Sequence, residues 1–178
     1  MLARNDTIMK WALYAGATLL LFFLQSAILQ RMAFWGLIPF LYPLLAAIPA
    51  TFESPSAGTI FALSVGVATD LLLPGPIPCF YTLIFPLVGL CASLLAESLL
   101  PAGLFCSLLA GADAFLLTGL FHGFLLMLTG RPAWAGVLSL TLRELLISLP
   151  LALPLNYFYR RIYLKTHTDG ERRPYGSK

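Results

Sequence analysis

Charge is scarce in this chain of 178 residues: Asp, Glu, Lys and Arg make up 11% of it, against roughly a quarter in a soluble domain. That shortage excludes an ordinary soluble fold, whose surface would have to be covered with Leu and Phe. Familiar chemical spacings are missing as well. The three cysteines, Cys79, Cys91 and Cys106, form no metal-ligand pattern. Inside apolar segments they read as small core residues, and an odd number says nothing of redox compartment. There is no Gly-x-Ser-x-Gly elbow for a nucleophile and no His-Glu-x-x-His pair for zinc. No loop is long enough to fold as a domain, so the chain acts within or against a lipid bilayer. The expectation is a non-enzymatic protein with no cofactor and no metal.

What the chain has in abundance is apolar residues, 59% of the total. A helix rises about 1.5 Å per residue and the hydrocarbon core is about 30 Å thick, so spans of about twenty residues are expected. Six are predicted, at about 11–29, 35–52, 57–73, 79–100, 102–128 and 134–159. Pro39 and Pro43 stand near the start of the second, Pro74-Gly75-Pro76-Ile77-Pro78 ends the third, and Pro86 predicts a kink in the fourth. Arg4 and Lys10 precede the first run as they would in a signal peptide. That run, Trp11 to Leu29, is too long for one and has no small-residue cleavage site, so it reads as a retained helix. The fold class is thus an all-α integral membrane protein: one domain over 1–165 and a polar, disordered cytoplasmic tail over 166–178.

The net charge of +3 is concentrated toward the end of the sequence and reads as a topology signal, not as a nucleic-acid patch. With six spans, Arg4, Lys10, Arg160, Arg161, Lys165, Arg172, Arg173 and Lys178 share one side, while Arg31 and Arg131 fall on the other. The positive-inside rule puts both termini in the cytoplasm. Trp11, Trp35, Trp134, Tyr157 and Tyr159 fall near predicted interfaces, where amphipathic rings prefer to lie.

Two features stand out within the spans. Small residues recur at every fourth position: Gly58, Ala62 and Gly66 lead to Asp70, Gly89 and Ser93 lead to Glu97, and Gly119 precedes Gly123. Such faces pack a bundle or receive a partner helix. The second feature is a set of ionisable groups at membrane depth: Asp113 in the fifth span, His122 further along it, and Arg143 and Glu144 in the sixth. An Asp113–Arg143 pair with Glu144 near His122 would leave few charges unmatched; a Glu near a His is also the setting for acid–base or proton-transfer chemistry.

The order of motifs over residues 10–100 resembles the rod shape-determining protein MreD family. Leu24-Gln25-Ser26 matches the end of that family's first helix, and Leu37-Ile38-Pro39-Phe40-Leu41 its Pro-containing second. Gly66-Val67-Ala68-Thr69-Asp70-Leu71 matches the Gly-x-x-x-Asp-Leu of the third, and the Pro/Gly turn with an aromatic fourth helix follows at Pro74 to Leu83. Family members usually carry Gly before that aromatic, where this chain has Pro78-Cys79-Phe80. The resemblance implies a non-enzymatic component of the machinery for side-wall peptidoglycan synthesis in the bacterial cytoplasmic membrane. It implies binding to a bitopic MreC-like protein, and through it association with MreB, RodA and its partner transpeptidase. It also implies a fold similar to the substrate-binding subunits of energy-coupling factor vitamin transporters, which is the alternative function. A membrane enzyme acting on lipid-linked substrates is a third, resting on Asp113, His122 and Glu144.

Overall fold

Long apolar runs form helices here because a backbone in lipid must satisfy its own hydrogen bonds, and Pro and Gly decide where those helices stop. The computed structural model describes residues 2–31, 36–73, 75, 77–130 and 134–171, with side chains from 7 to 165. Its helices are α1 (Leu2–Ala27), α2 (Tyr42–Ala50), α3 (Pro55–Leu72), α4 (Phe80–Ser98), α5 (Leu104–Leu128), α6 (Trp134–Ser148) and α7 (Ala152–Glu171). Trp35, Arg131, Pro74, Pro76 and residues 172–178 lie outside the described residues, as does the side chain of Arg4.

Among the described residues, five helical stretches are long and apolar enough to cross a membrane, at Thr7–Arg31, Pro55–Leu72, Phe80–Ser98, Leu104–Leu128 and Trp134–Lys165. The chain is therefore all-helical and membrane-embedded. The second predicted span is the exception. Instead of a helix over 35–52, only nine residues are helical, about 13.5 Å at 1.5 Å per residue. Pro39 lacks an N–H and disfavours helix in the residue before it, so α2 starts only beyond it, with Pro43 in its first turn.

This short segment is the hub of the bundle. Every residue from 41 to 52 is buried, and α2 touches α1, α3, α4, α5 and α7. Its path is fixed at two points on α1. At one end Lys10 pairs with Glu53 at 2.8 Å. At the other, Gln25 donates to the Pro39 carbonyl at 2.8 Å and accepts from the Leu41 N–H at 3.2 Å. Lys10 and Gln25 lie about 22 Å apart along α1, so residues 39–53 run antiparallel to it for most of its length.

The last predicted span also differs. The helix predicted over 134–159 breaks at a 3-10 turn, Leu149–Leu151, where Pro150 removes a backbone donor and crowds the preceding turn. Helix α7 then continues past Tyr159 to Glu171, so the first residues of the predicted tail are helical.

The small-residue faces are internal. A Cβ on Gly66 would lie 2.6 Å from the Tyr81 carbonyl oxygen, and one on Gly89 would lie 2.9 Å from the Gly58 oxygen. Ala62 and Ser93 are fully buried in the same seam between α3 and α4. Gly119 and Gly123 let α6 approach α5 through Thr141 and Trp134.

Candidate functional site

Asp70 ends the small face of α3, and its carboxylate is spent on the first turn of α4. The Tyr81 N–H donates to Oδ1 at 3.1 Å, while the Thr82 N–H and hydroxyl donate to Oδ2 at 2.7 and 2.6 Å. These amides belong to the first turn of a helix and have no carbonyl partner within it, and the positive end of the helix dipole favours an anion there. Gly66, one turn earlier on α3, lets the two backbones come close enough for the reach. Gly58, Ala62, Gly66 and Asp70 thus form one internal joint and present no free face to a partner.

The polar residues predicted as a cluster divide into three environments. α5 meets α6 where Gly119 faces Thr141, and a helix turns about 100° per residue. Arg143, two residues beyond Thr141, therefore points away from α5 and is exposed. Glu144, three beyond, returns to the α5 side. It shares a cavity of about 400 Å³ with His122, Tyr81, Thr118 and Phe40. Asp113 is half-buried and lies outside that cavity. The predicted Asp113–Arg143 pair is not formed; Lys10–Glu53 is the ion pair among the described residues. Arg143 lies between the levels of Asp113 and His122, but depth says nothing about direction around the helix. Glu144 and His122 do come together, as lining of one cavity. Among the described residues no three His, Cys, Asp or Glu side chains converge as metal ligands would.

Four polar residues carry joints that sequence reasoning did not assign. Gln25 clasps the non-helical Pro39–Leu41 backbone, and the Ser148 hydroxyl accepts from the Phe40 N–H at 2.9 Å. Asn156 accepts from Ser107 at 2.9 Å, and Tyr159 bonds Thr18 at 2.9 Å, tying α7 to α5 and α1. An amide or hydroxyl within an otherwise apolar run was the available signal, because such a group needs a partner in lipid.

A larger concavity lies on the lipid-facing side. α1 packs on α7, and a groove of about 670 Å³ separates it from α3. Its walls include Ala15, Leu19 and Phe22 from α1 and Ala57, Ser64 and Ala68 from α3. Apolar walls with small residues on both sides are the surface against which a transmembrane helix approaches closely.

No protein-family model, no curated protein and no solved structure matches this chain.

Proposed function

We propose that this chain is an MreD-like, non-enzymatic scaffold of the bacterial cell-elongation machinery, binding the single transmembrane helix of an MreC-like protein and, through it, MreB, RodA and its partner transpeptidase. The observation that carries this reading is that the residues of the resemblance coincide with the joints of the fold. Gln25 clasps the segment that contains Pro39, and Gly66 and Asp70 lock α3 to α4. Cys79, at the position usually held by Gly in that family, has φ +60°, the left-handed conformation that favours Gly.

In this reading residues 37–53 make a broken sixth crossing. Lys10 shares its end of the bundle with the stretch beyond Tyr159 that holds Arg160, Arg161 and Lys165. That end faces the cytoplasm of a bacterial inner membrane by the positive-inside rule.

Because Gly58, Ala62, Gly66 and Asp70 are internal, the partner helix is assigned to the groove between α1 and α3. Co-purification from membranes tests this. Ser64→Trp, which fills the groove from an exposed position, is expected to lose an MreC-like partner, while Leu138→Trp on the exposed face of α6 retains it. Equal recovery of the partner with both variants would reject the groove.

The second reading, a vitamin-binding transporter subunit, is favoured by one observation: the cavity that holds His122 and Glu144. Saturable one-site binding of a vitamin to the purified protein would establish it over the scaffold.

A further inference from the structure

The cavity of about 400 Å³ between the start of α4, α5 and α6 lies within the range typical of small-ligand sites. Its walls include four aromatic rings, Phe40, Phe80, Tyr81 and Phe115. Mutual contacts hold Phe40, Phe80 and Tyr81 in place. Phe80 and Tyr81 meet edge-on at 5.0 Å, Tyr81 lies 6.1 Å from Phe40, and the His122 imidazole meets Phe80 edge-on at 6.0 Å. Into this enclosure the turn of α6 carries Glu144, half-buried and outside the ion pair found among the described residues.

A carboxylate removed from water needs a cation or a proton beside it. Aromatic faces also attract cations, more strongly where water is excluded. An anion would meet the Glu144 charge; His122 lines the same cavity but forms no ion pair with Glu144, so a wholly apolar molecule would leave that charge without a cation in contact. A bare divalent cation takes six or more oxygen ligands, whereas Glu144 is the only carboxylate among the lining residues.

We propose that this cavity binds an organic ammonium group, seated against Glu144 and enclosed by Phe40, Phe80, Tyr81 and Phe115. The group belongs either to a lipid headgroup such as ethanolamine or to a soluble primary amine. This inference is separate from the scaffold reading, because the cavity shares no lining residue with the groove.

The test uses the full chain in detergent, titrated with benzylammonium and with its neutral isostere benzyl alcohol. Native mass spectrometry of freshly purified protein detects retained lipid. Saturable benzylammonium binding is expected at one site, at least tenfold tighter than benzyl alcohol and at least tenfold weaker in Glu144→Gln. Val137→Trp, which fills the cavity from α6 without altering its charge, is expected to abolish binding too, and it decides the matter should Glu144→Gln fail to fold. Retained ethanolamine lipid that is lost in Glu144→Gln would support the proposal with a lipid as the source. Saturable amine binding without retained lipid would support it with a soluble amine. Equal affinity for the alcohol and the ammonium, wild-type affinity in a folded Glu144→Gln, or neither binding nor retained lipid would overturn it.

Discussion

Asp70 on α3 binds Thr82 on α4 twice through one oxygen, taking its backbone N–H at 2.7 Å and its hydroxyl at 2.6 Å. With the Tyr81 N–H on its other oxygen, the carboxylate caps a neighbouring helix across the turn that joins the two. A residue that reads as a candidate partner contact is thereby a structural joint.

Asp70→Leu is expected to destabilise the protein by about 3 kcal/mol, because charge-assisted hydrogen bonds are worth about 1.5–3 kcal/mol each and two backbone donors lose their acceptor. Unfolding in mixed micelles measures this. Insertion into the membrane should persist, since no apolar span is altered. Unchanged stability would mean that the cap contributes nothing.

Gly66 and Gly16 make a matched pair. Ala at Gly66 places a methyl group 2.6 Å from the Tyr81 carbonyl oxygen, whereas one at Gly16 meets nothing within 4 Å. Gly66→Ala is expected to lose about 1–3 kcal/mol through overpacking against backbone. Gly16→Ala should stay within about 0.5 kcal/mol of the parent. The same unfolding measurement on both variants checks the contrast.

Gln25→Leu removes both partners of the Pro39–Leu41 backbone and leaves a carbonyl and an N–H unsatisfied in an apolar setting. The expected loss is about 2–6 kcal/mol, at about 1–3 kcal/mol for each orphaned group. Gln25→Glu keeps the acceptor for Leu41 but, when ionised, sets a buried carboxylate oxygen against the Pro39 carbonyl, so it should be at least as destabilising as Leu. Equal stability of all three proteins would show that water or other side chains replace the clasp.

Cys79→Gly is expected to raise stability by about 0.5–1 kcal/mol. Relief of left-handed strain, about 1–2 kcal/mol for a residue with a Cβ, is partly offset by the greater freedom of Gly in the unfolded chain. Cys79→Ala keeps the Cβ and should give no such gain, which separates backbone strain from loss of the thiol.

Much of the architecture was legible in the sequence because it depends on local chemistry. Uninterrupted apolar runs mark α3, α4 and α5 to within a few residues, and the end of α1, whose helix begins nine residues before the predicted span. The Pro/Gly turn before α4 is legible because Pro cannot donate the bond that would continue a helix. The same reasoning overestimated the second span. Hydropathy counts Ile38, Phe40 and Leu41 as it would in a helix, and it cannot see that Gln25 and Ser148 supply the hydrogen bonds that let this stretch remain non-helical inside the bundle.

The sequence by itself thus determined that the chain lives in a membrane, where most helices begin and end, and which small residues line one helical face. The tertiary structure decided what those faces meet. Gly58, Ala62 and Gly66 could equally have received a partner, and Arg143 could have turned toward Asp113, until helix rotation and neighbour were known. Burial free energy depends on composition, which is local. The direction of a side chain depends on which helix packs beside it, and that is a property of the whole fold.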